Sequence, residues 1–576
     1  MPAAAHDPIG ERKSRAIYDS APESYRDVSL AGPESAAAIK KGLASGQWFV
    51  PHIERKTLRG LMQRDDWHAL RDTALLFSII GAFGYGALLA WRAQRYGAFA
   101  LLFWCYCTFY TSSADSRWHE CGHSTAFKTK WMNDLLYEIA SFMVFREPLV
   151  WRFSHSRHHT DTDVVGRDPE IDGRPLDMWN LCLAFFNVQG IRAESAKLWM
   201  HANGALSAGE KAFVPPSERA AVCAQARAWL AAFALVLGVS LALRSPLPVM
   251  YVFLPYTLGA WHFVLVGVFQ HASLEHDVLD HRLNTRTCYV NPVSAFMYVS
   301  HLTTVLSRFS TYSRLTPLLI PLSLLYVSST SYWNMHYHVE HHMFPMVPYY
   351  NLPKLHEVLK PQLPTPYGSI WEVYCEMIPA LLKQGRPHKA DAATGEPVEG
   401  PLYFTDKRKD LPPPLPSAGA AQAERDRKAG LTPDEHGWVA ACEAGDVPPG
   451  EVERFDVGPR TYCVYHAADD GRFYATAGRC THGAALLADG LVTDNLIECP
   501  KHNGCFDFKT GLPKRLPVKT RIATFETRLE GSTVFVKVGD GKHLQVSYDE
   551  EGHGDKEAGA KAGEGAPQKK KVDVSW

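Results

Sequence analysis

VWRFSHSRHHTDTD, residues 150–163, sets His155, His158 and His159 at positions i, i+3 and i+4. On a helix that spacing turns all three imidazoles to one side, because residues three and four apart lie one above the other. HVEHH at 338–342 repeats it through His338, His341 and His342, and HECGH at 119–123 puts His119 and His123 four apart on one face. A lone pair of histidines is as often a surface accident as a ligand set. Three such clusters, all beside apolar stretches, point to metal. Imidazole suits Fe, Zn, Cu and Ni, so the ligand type does not name the ion. Eight imidazoles exceed the needs of one four- to six-coordinate ion, which argues for two.

Outward from these clusters lie apolar segments. Residues 73–91 (TALLFSIIGAFGYGALLAW) carry no charge over nineteen positions, about the length that spans a bilayer. A second stretch, about 96–113, ends just before His119. A third covers about 228–243 and a fourth about 249–269, the last ending before His271 and His276. Residues 315–327 form a fifth span or an interfacial helix, and periodicity does not choose between them. Paired as two hairpins, the first four spans bring every histidine cluster and both termini to one side. Arg55, Lys56, Arg59, Arg64 and Arg71 flank that side, so the positive-inside rule places it in the cytoplasm. Buried helices of a large soluble protein are the alternative. His276, in QHASLEHD, is the favoured extra ligand over His271 and His336.

The 60 Lys and Arg nearly balance the 61 Asp and Glu, leaving no basic field for nucleic acid. The N-terminus lacks an apolar h-region, so no secretory signal is expected. The 12 Cys are scattered without the spacing of a disulfide framework, and most read as free thiols. Residues 1–65 read as a cytosolic lead-in and 66–384 as an α-helical membrane domain with a histidine cap. Residues 385–433 are rich in Pro, Ala, Gly and charge and read as a linker. Across 434–549, short β-branched and aromatic runs alternate with Gly and Asp turns, the pattern of an all-β domain. Residues 550–576 are poor in apolar residues and are predicted to be disordered.

Within that β domain, Cys480-x-His482 is followed, after sixteen residues, by Cys499-x-x-His502. The motif supplies two thiolates and two imidazoles. Zinc takes the same donors, but its loops usually pair Cys with Cys and His with His. Mixed loops suit a 2Fe–2S cluster in which the thiolates hold one iron and the histidines the other.

HECGH, FSHSRHHTDT and HVEHHMFP, in that order, make residues 65–380 resemble the integral-membrane fatty acid desaturase and hydroxylase superfamily. The resemblance implies about four transmembrane helices and a cytosolic cap that holds two non-haem Fe ions. The implied ligands are His119, His123, His155, His158, His159, His338, His341 and His342, with a ninth falling most naturally on His276. CTHGAALLADG and ECPKHNGCFDFKTG resemble Rieske 2Fe–2S ferredoxin domains. Ala485 and Lys501 occupy the positions where high-potential forms carry a disulfide, which implies a lower-potential donor.

Together the two halves predict an O2-dependent oxidoreductase of the bacterial-type cytoplasmic membrane. An NAD(P)H-dependent ferredoxin reductase would supply electrons through the 2Fe–2S cluster. Desaturation of a fatty acyl or lipid chain is the leading expectation, and hydroxylation of an acyl chain or other apolar substrate is the alternative. A membrane-anchored electron-transfer protein with structural histidine sites is a more distant one.

Overall fold

The structure, a computed structural model, describes residues 49, 51–164, 168–170, 177–274, 280–289, 332–383, 388–390, 397–398, 411–412, 431–458, 460–482, 485–501, 503–515 and 518–538. The apolar segment at 315–327, the tail, His276 and His502 lie outside the described residues.

The first apolar segment forms the helix Trp67–Arg92, which reverses through Gln94 (φ 55°) into Tyr96–Thr111. The reversal is closed by Arg95 N–H donating to the Ala90 carbonyl at 2.9 Å, a satisfied helix end of the left-handed kind. At Gly84 an added Cβ would stand 3.1 Å from the Tyr106 ring, so the glycine sets how closely these helices approach. Tyr251 locks the contact, donating to the Gly84 carbonyl at 2.8 Å and accepting from the Tyr106 hydroxyl at its own carbonyl at 2.9 Å.

Among the described residues, two helices are long and apolar enough to cross a membrane, the one ending at Arg92 and Pro216–Ala242. The latter starts with proline in its first turn, where no N–H is needed, and runs 27 residues. It leaves Leu235 (68 %) and Leu241 (70 %) exposed, along with Leu237 and Leu243. Such a face on one helix marks a partner or a lipid environment.

The fourth expected span is not one helix. It divides into Leu247–Phe253, Pro255–Leu258 and Ala260–Gly267, followed by a 3₁₀ turn at Val268–Gln270. Pro255 removes a backbone donor. Gly259 presses so close to the neighbouring helix that an added Cβ would meet the Cys107 carbonyl oxygen at 2.1 Å. Thr111 bridges the break, donating to the Gly259 carbonyl at 2.8 Å. The stretch 385–433, expected as linker throughout, contains a short antiparallel pair, His388–Ala390 with Pro397–Val398.

Among its described residues the C-terminal part is all-β, built from three antiparallel sheets. Glu451–Val457, Arg460–His466 and Phe473–Ala477 form a meander, which Thr524–Phe525 extends. Trp438–Glu443 pairs with Thr533–Lys537, closing the ends of the domain together. A small sheet of Leu491–Thr493, Leu496–Glu498, Cys505–Asp507 and Pro513–Arg515 carries the second Cys-x-x-His loop between its middle strands. Leu491 packs into the main core of the helical part rather than into the β cores, joining the two halves through apolar contact.

Candidate metal centres

The chain leaves Tyr96–Thr111 through a π turn, Ala114–Trp118, directly into the turn His119–Gly122. The wider turn is common at functional sites, and here it carries HECGH. Arg117 is buried beneath it, donating to the Asp72 carbonyl at 2.8 Å and lying 4.4 Å above the Trp333 ring. Glu120 accepts from the Thr125 hydroxyl at 2.9 Å and from the Tyr349 N–H at 3.3 Å. Burial pushes its carboxyl up to about 8.

HSRHH lies in the helix Pro148–Thr160, whose first carbonyl accepts from the Tyr137 hydroxyl at 2.9 Å. HVEHH lies in His338–Met343. Its Glu340 accepts from the Thr287 hydroxyl at 2.5 Å and contacts His356 Nδ1, tethering the helix while the three histidines serve the centre.

Among the described residues the cap gathers nine imidazoles in two neighbouring groups. His119, His123, His155, His159 and His341 each offer a ligand nitrogen, all within 4.8 Å of one another, and His158, His271 and His342 form a second such set. His338 joins the second, its Nε2 2.9 Å from that of His271 and 3.1 Å from that of His342. In the first group His119 Nε2 lies 2.6 Å from His341 Nε2 and 3.1 Å from His155 Nε2. His123 and His159 meet at 3.1 Å.

Burial, reinforced by the neighbouring rings, holds His119, His159, His338, His341 and His342 well below the usual histidine range. They are therefore neutral, the state in which imidazole ligates metal. Neutral rings crowded this closely cannot all pair with one another, whereas a central cation accepts every lone pair.

The outward nitrogens support the same polarity. His158 Nδ1 lies 2.8 Å from Asp168 Oδ2, and His155 Nδ1 lies 3.1 Å from Glu170 Oε1. His342 Nδ1 lies 3.1 Å from the Thr162 hydroxyl oxygen, and His271 Nδ1 lies 3.0 Å from the Asn284 carbonyl. Behind these four rings an acceptor faces Nδ1 and leaves Nε2 turned inward, the arrangement found around metal-bound histidine. The residues fit two metal ions.

His271, ranked below His276 by position alone, lies within the second group. Its place in a tight turn after Val268–Gln270, at the end of the broken fourth segment, brings it to the cap. His336 is buried outside both groups, against the Tyr337 ring at 4.4 Å. Asp168 and Glu170, which back His158 and His155, have only a weak signal in the sequence, acidic residues soon after HSRHH.

In the β domain, Cys480 and Cys499 are buried at 4 % and 1 % exposure. Their loops close on themselves, Cys480 N–H donating to the Ala485 carbonyl at 2.9 Å and Cys499 N–H to the Gly504 carbonyl at 2.8 Å. Burial and the nearby Arg157, Lys501 and Lys519 hold His482 neutral, down to about 3. Two buried thiols and a neutral imidazole fit a 2Fe–2S cluster. Burial pushes the Cys505 thiol up to about 12.

Both cluster loops face the histidine cap. Arg157 of the HSRHH helix lies near His482, and its ion-pair partner Asp161 (2.7 Å) lies near the buried Lys501. Arg64 pairs with Glu498 at 2.8 Å, Arg59 donates to the Val452 carbonyl at 2.7 Å, and Arg59 also pairs with Glu451.

A histidine-lined metal cap joined to a cysteine–histidine electron carrier defines an oxidoreductase with its own electron-transfer domain. Residues 96–302 and 323–374 match the family model described as "Fatty acid desaturase", and 437–526 match the "Rieske [2Fe-2S] domain". The chain thus carries a fatty acid desaturase domain and, through its C-terminal domain, belongs to the Rieske 2Fe–2S ferredoxin family.

Over 100 residues it is 38 % identical to the ferredoxin CarAc of Metapseudomonas resinovorans, covering 17 % of this chain and 92 % of that one. With the ferredoxin component of biphenyl 2,3-dioxygenase from Rhodococcus jostii it shares 37 % identity over 100 residues, covering 17 % of this chain and 92 % of that protein. Among solved structures, a complex of oxygenase and ferredoxin in carbazole 1,9a-dioxygenase contains a chain 36 % identical. The match covers 18 % of this chain and 94 % of that one, with a TM-score of 0.17.

Proposed function

We propose that this protein is an integral-membrane, O2-dependent diiron desaturase of fatty acyl chains or lipids, supplied with electrons by its own Rieske domain. The single observation that carries the reading is the nine-histidine cap with its two nitrogen groups facing the cysteine–histidine loops. In this reading His119, His123, His155, His159 and His341 hold one iron, and His158, His271, His338 and His342 hold the other. Cys480, His482, Cys499 and His502 hold the 2Fe–2S cluster.

Two irons held there supply dioxygen activation and an oxidant able to take a hydrogen atom from an unactivated C–H bond. The protein's own part is positional. Asp168, Glu170, Thr162 and the Asn284 carbonyl orient the imidazoles, and the surrounding side chains keep bulk water from the ligand nitrogens.

The proposed domains are a membrane domain over 66–384, a linker over 385–433 that includes the short pair His388–Ala390 with Pro397–Val398, and a Rieske domain over 434–549. The exposed leucines of Pro216–Ala242 support burial of that helix in lipid. The membrane domain then crosses about four times with its cap on the cytoplasmic side. There an NAD(P)H-dependent reductase has access to the Rieske domain. The relatives CarAc and the biphenyl 2,3-dioxygenase component are ferredoxins, which supports reading this domain as a donor.

Expression in a lipid-rich host followed by mass spectrometry of the lipids tests the reaction. Loss of two hydrogens is the expected product signature. Gain of one oxygen would assign hydroxylation instead, and no mass change in lipids, alkanes or aromatics would contradict both.

A further inference from the structure

The two proposed centres meet at one side chain. Asn503 is buried (3 % exposed) at the junction of the halves, and its carboxamide Nδ2 donates to the main-chain carbonyl of His123. Its own N–H donates to the Cys499 carbonyl at 3.2 Å. One residue therefore hydrogen-bonds to a proposed cluster ligand on one side and a proposed iron ligand on the other.

The orientation of that carboxamide is fixed. Arg515 Nη1 donates to Asn503 Oδ1 at 2.5 Å, which leaves the NH2 end for His123. Arg515 also donates to Glu498 Oε1 at 2.7 Å, and Arg64 of the helical half donates to Glu498 Oε2 at 2.8 Å. Charged partners on both sides of the junction thus set one amide, and charge-assisted bonds are the stronger kind. The backbone agrees, because Asn503 holds φ 58°, a left-handed conformation that asparagine tolerates better than most residues.

We propose that Asn503 is the electron bridge between the 2Fe–2S cluster and the histidine cap, with Arg515, Glu498 and Arg64 as its positioning residues. The inference rests on the function proposed above. Electron tunnelling falls steeply with each through-space gap, and hydrogen bonds shorten those gaps. The route runs from Cys499 through its carbonyl to the Asn503 N–H, along the side chain, and across to the His123 carbonyl and imidazole. Each passage oxidises the reduced cluster by one electron and reduces one iron(III) of the cap to iron(II). The amide itself carries neither electron nor proton as a stable species.

Two variants test this in the full-length, fully loaded protein. Asn503→Gly keeps the left-handed backbone and removes the carboxamide. Asn503→Asp keeps an oxygen for Arg515 and offers His123 no N–H. Reduced protein is mixed with O2 and reoxidation of the cluster is followed by its visible absorbance, with the cap-iron variant His158→Ala as background. Both variants are expected to slow the cap-dependent phase by about tenfold, the low end of what losing an outer-shell partner costs. The cluster's midpoint potential, EPR signal and iron content are expected to stay unchanged. Parental rates in either variant would overturn the bridge alone. Slowing accompanied by a shifted potential or lost iron would also overturn it, because Asn503 would then be holding the loop and not carrying the coupling. If the unsubstituted protein reoxidises no faster than His158→Ala, the donor reading fails and the bridge fails with it.

Discussion

The histidine cap and the Rieske domain assemble their proposed ligands by opposite strategies. The cap draws its nine imidazoles from four segments between His119 and His342, brought together only when several helices pack. The β domain draws its proposed set from two short loops, closed on themselves by backbone hydrogen bonds from Cys480 N–H to the Ala485 carbonyl and from Cys499 N–H to the Gly504 carbonyl. The first depends on long-range packing and on buried acceptors such as Asp168, and the second on local turns. Damage to one centre should therefore leave the other standing.

The sharpest way to break that contrast is at the ligands. His158→Ala is expected to abolish product formation and lower iron content while the 2Fe–2S visible spectrum persists. Iron stoichiometry equal to the parent would remove His158 from the ligand set. His502→Ala is expected to do the reverse, erasing the cluster spectrum while the cap still loads iron. Full activity in that variant without added ferredoxin would end the internal-donor reading.

Next in size is the choice of ninth ligand. His271→Ala is expected to lower cap iron, whereas His276→Ala is expected to leave it at the parental level. The opposite pattern in metal analysis would restore His276. Behind the ligands, Asp168→Asn keeps the size of the side chain and weakens the acceptor for His158. A loss of about tenfold to a hundredfold in iron affinity or activity is expected, read by metal titration, with the cluster untouched. The smallest effect belongs to packing alone. Tyr137→Phe removes the bond to the Pro148 carbonyl and is expected to cost about 1 kcal/mol, seen as a modest drop in melting temperature at unchanged iron content.

The clusters were legible in the sequence because i, i+3 and i+4 spacing needs only a helix to converge, and His155, His158 and His159 received one. The Rieske loops were legible because their ligands are local. His271 and His276 follow the same apolar stretch, so position in the sequence alone does not rank them, and the turn after Val268–Gln270 that brings His271 to the cap has no local sequence signature. The break within the fourth apolar stretch has no sign in hydropathy, which does not register Pro255 or the close approach at Gly259. The junction was invisible for another reason: Arg64 and Glu498 are 434 positions apart, and no local pattern ties such a pair.

The most direct test of the central claim is reoxidation of the reduced 2Fe–2S cluster by O2, compared between the unsubstituted protein and His158→Ala with no other ferredoxin present. Fast reoxidation in the parent and slow reoxidation in the variant is the expected result, because electrons leave the cluster through the cap. Equal rates in the two proteins would mean that the cluster does not feed the histidine site, and would contradict the claim.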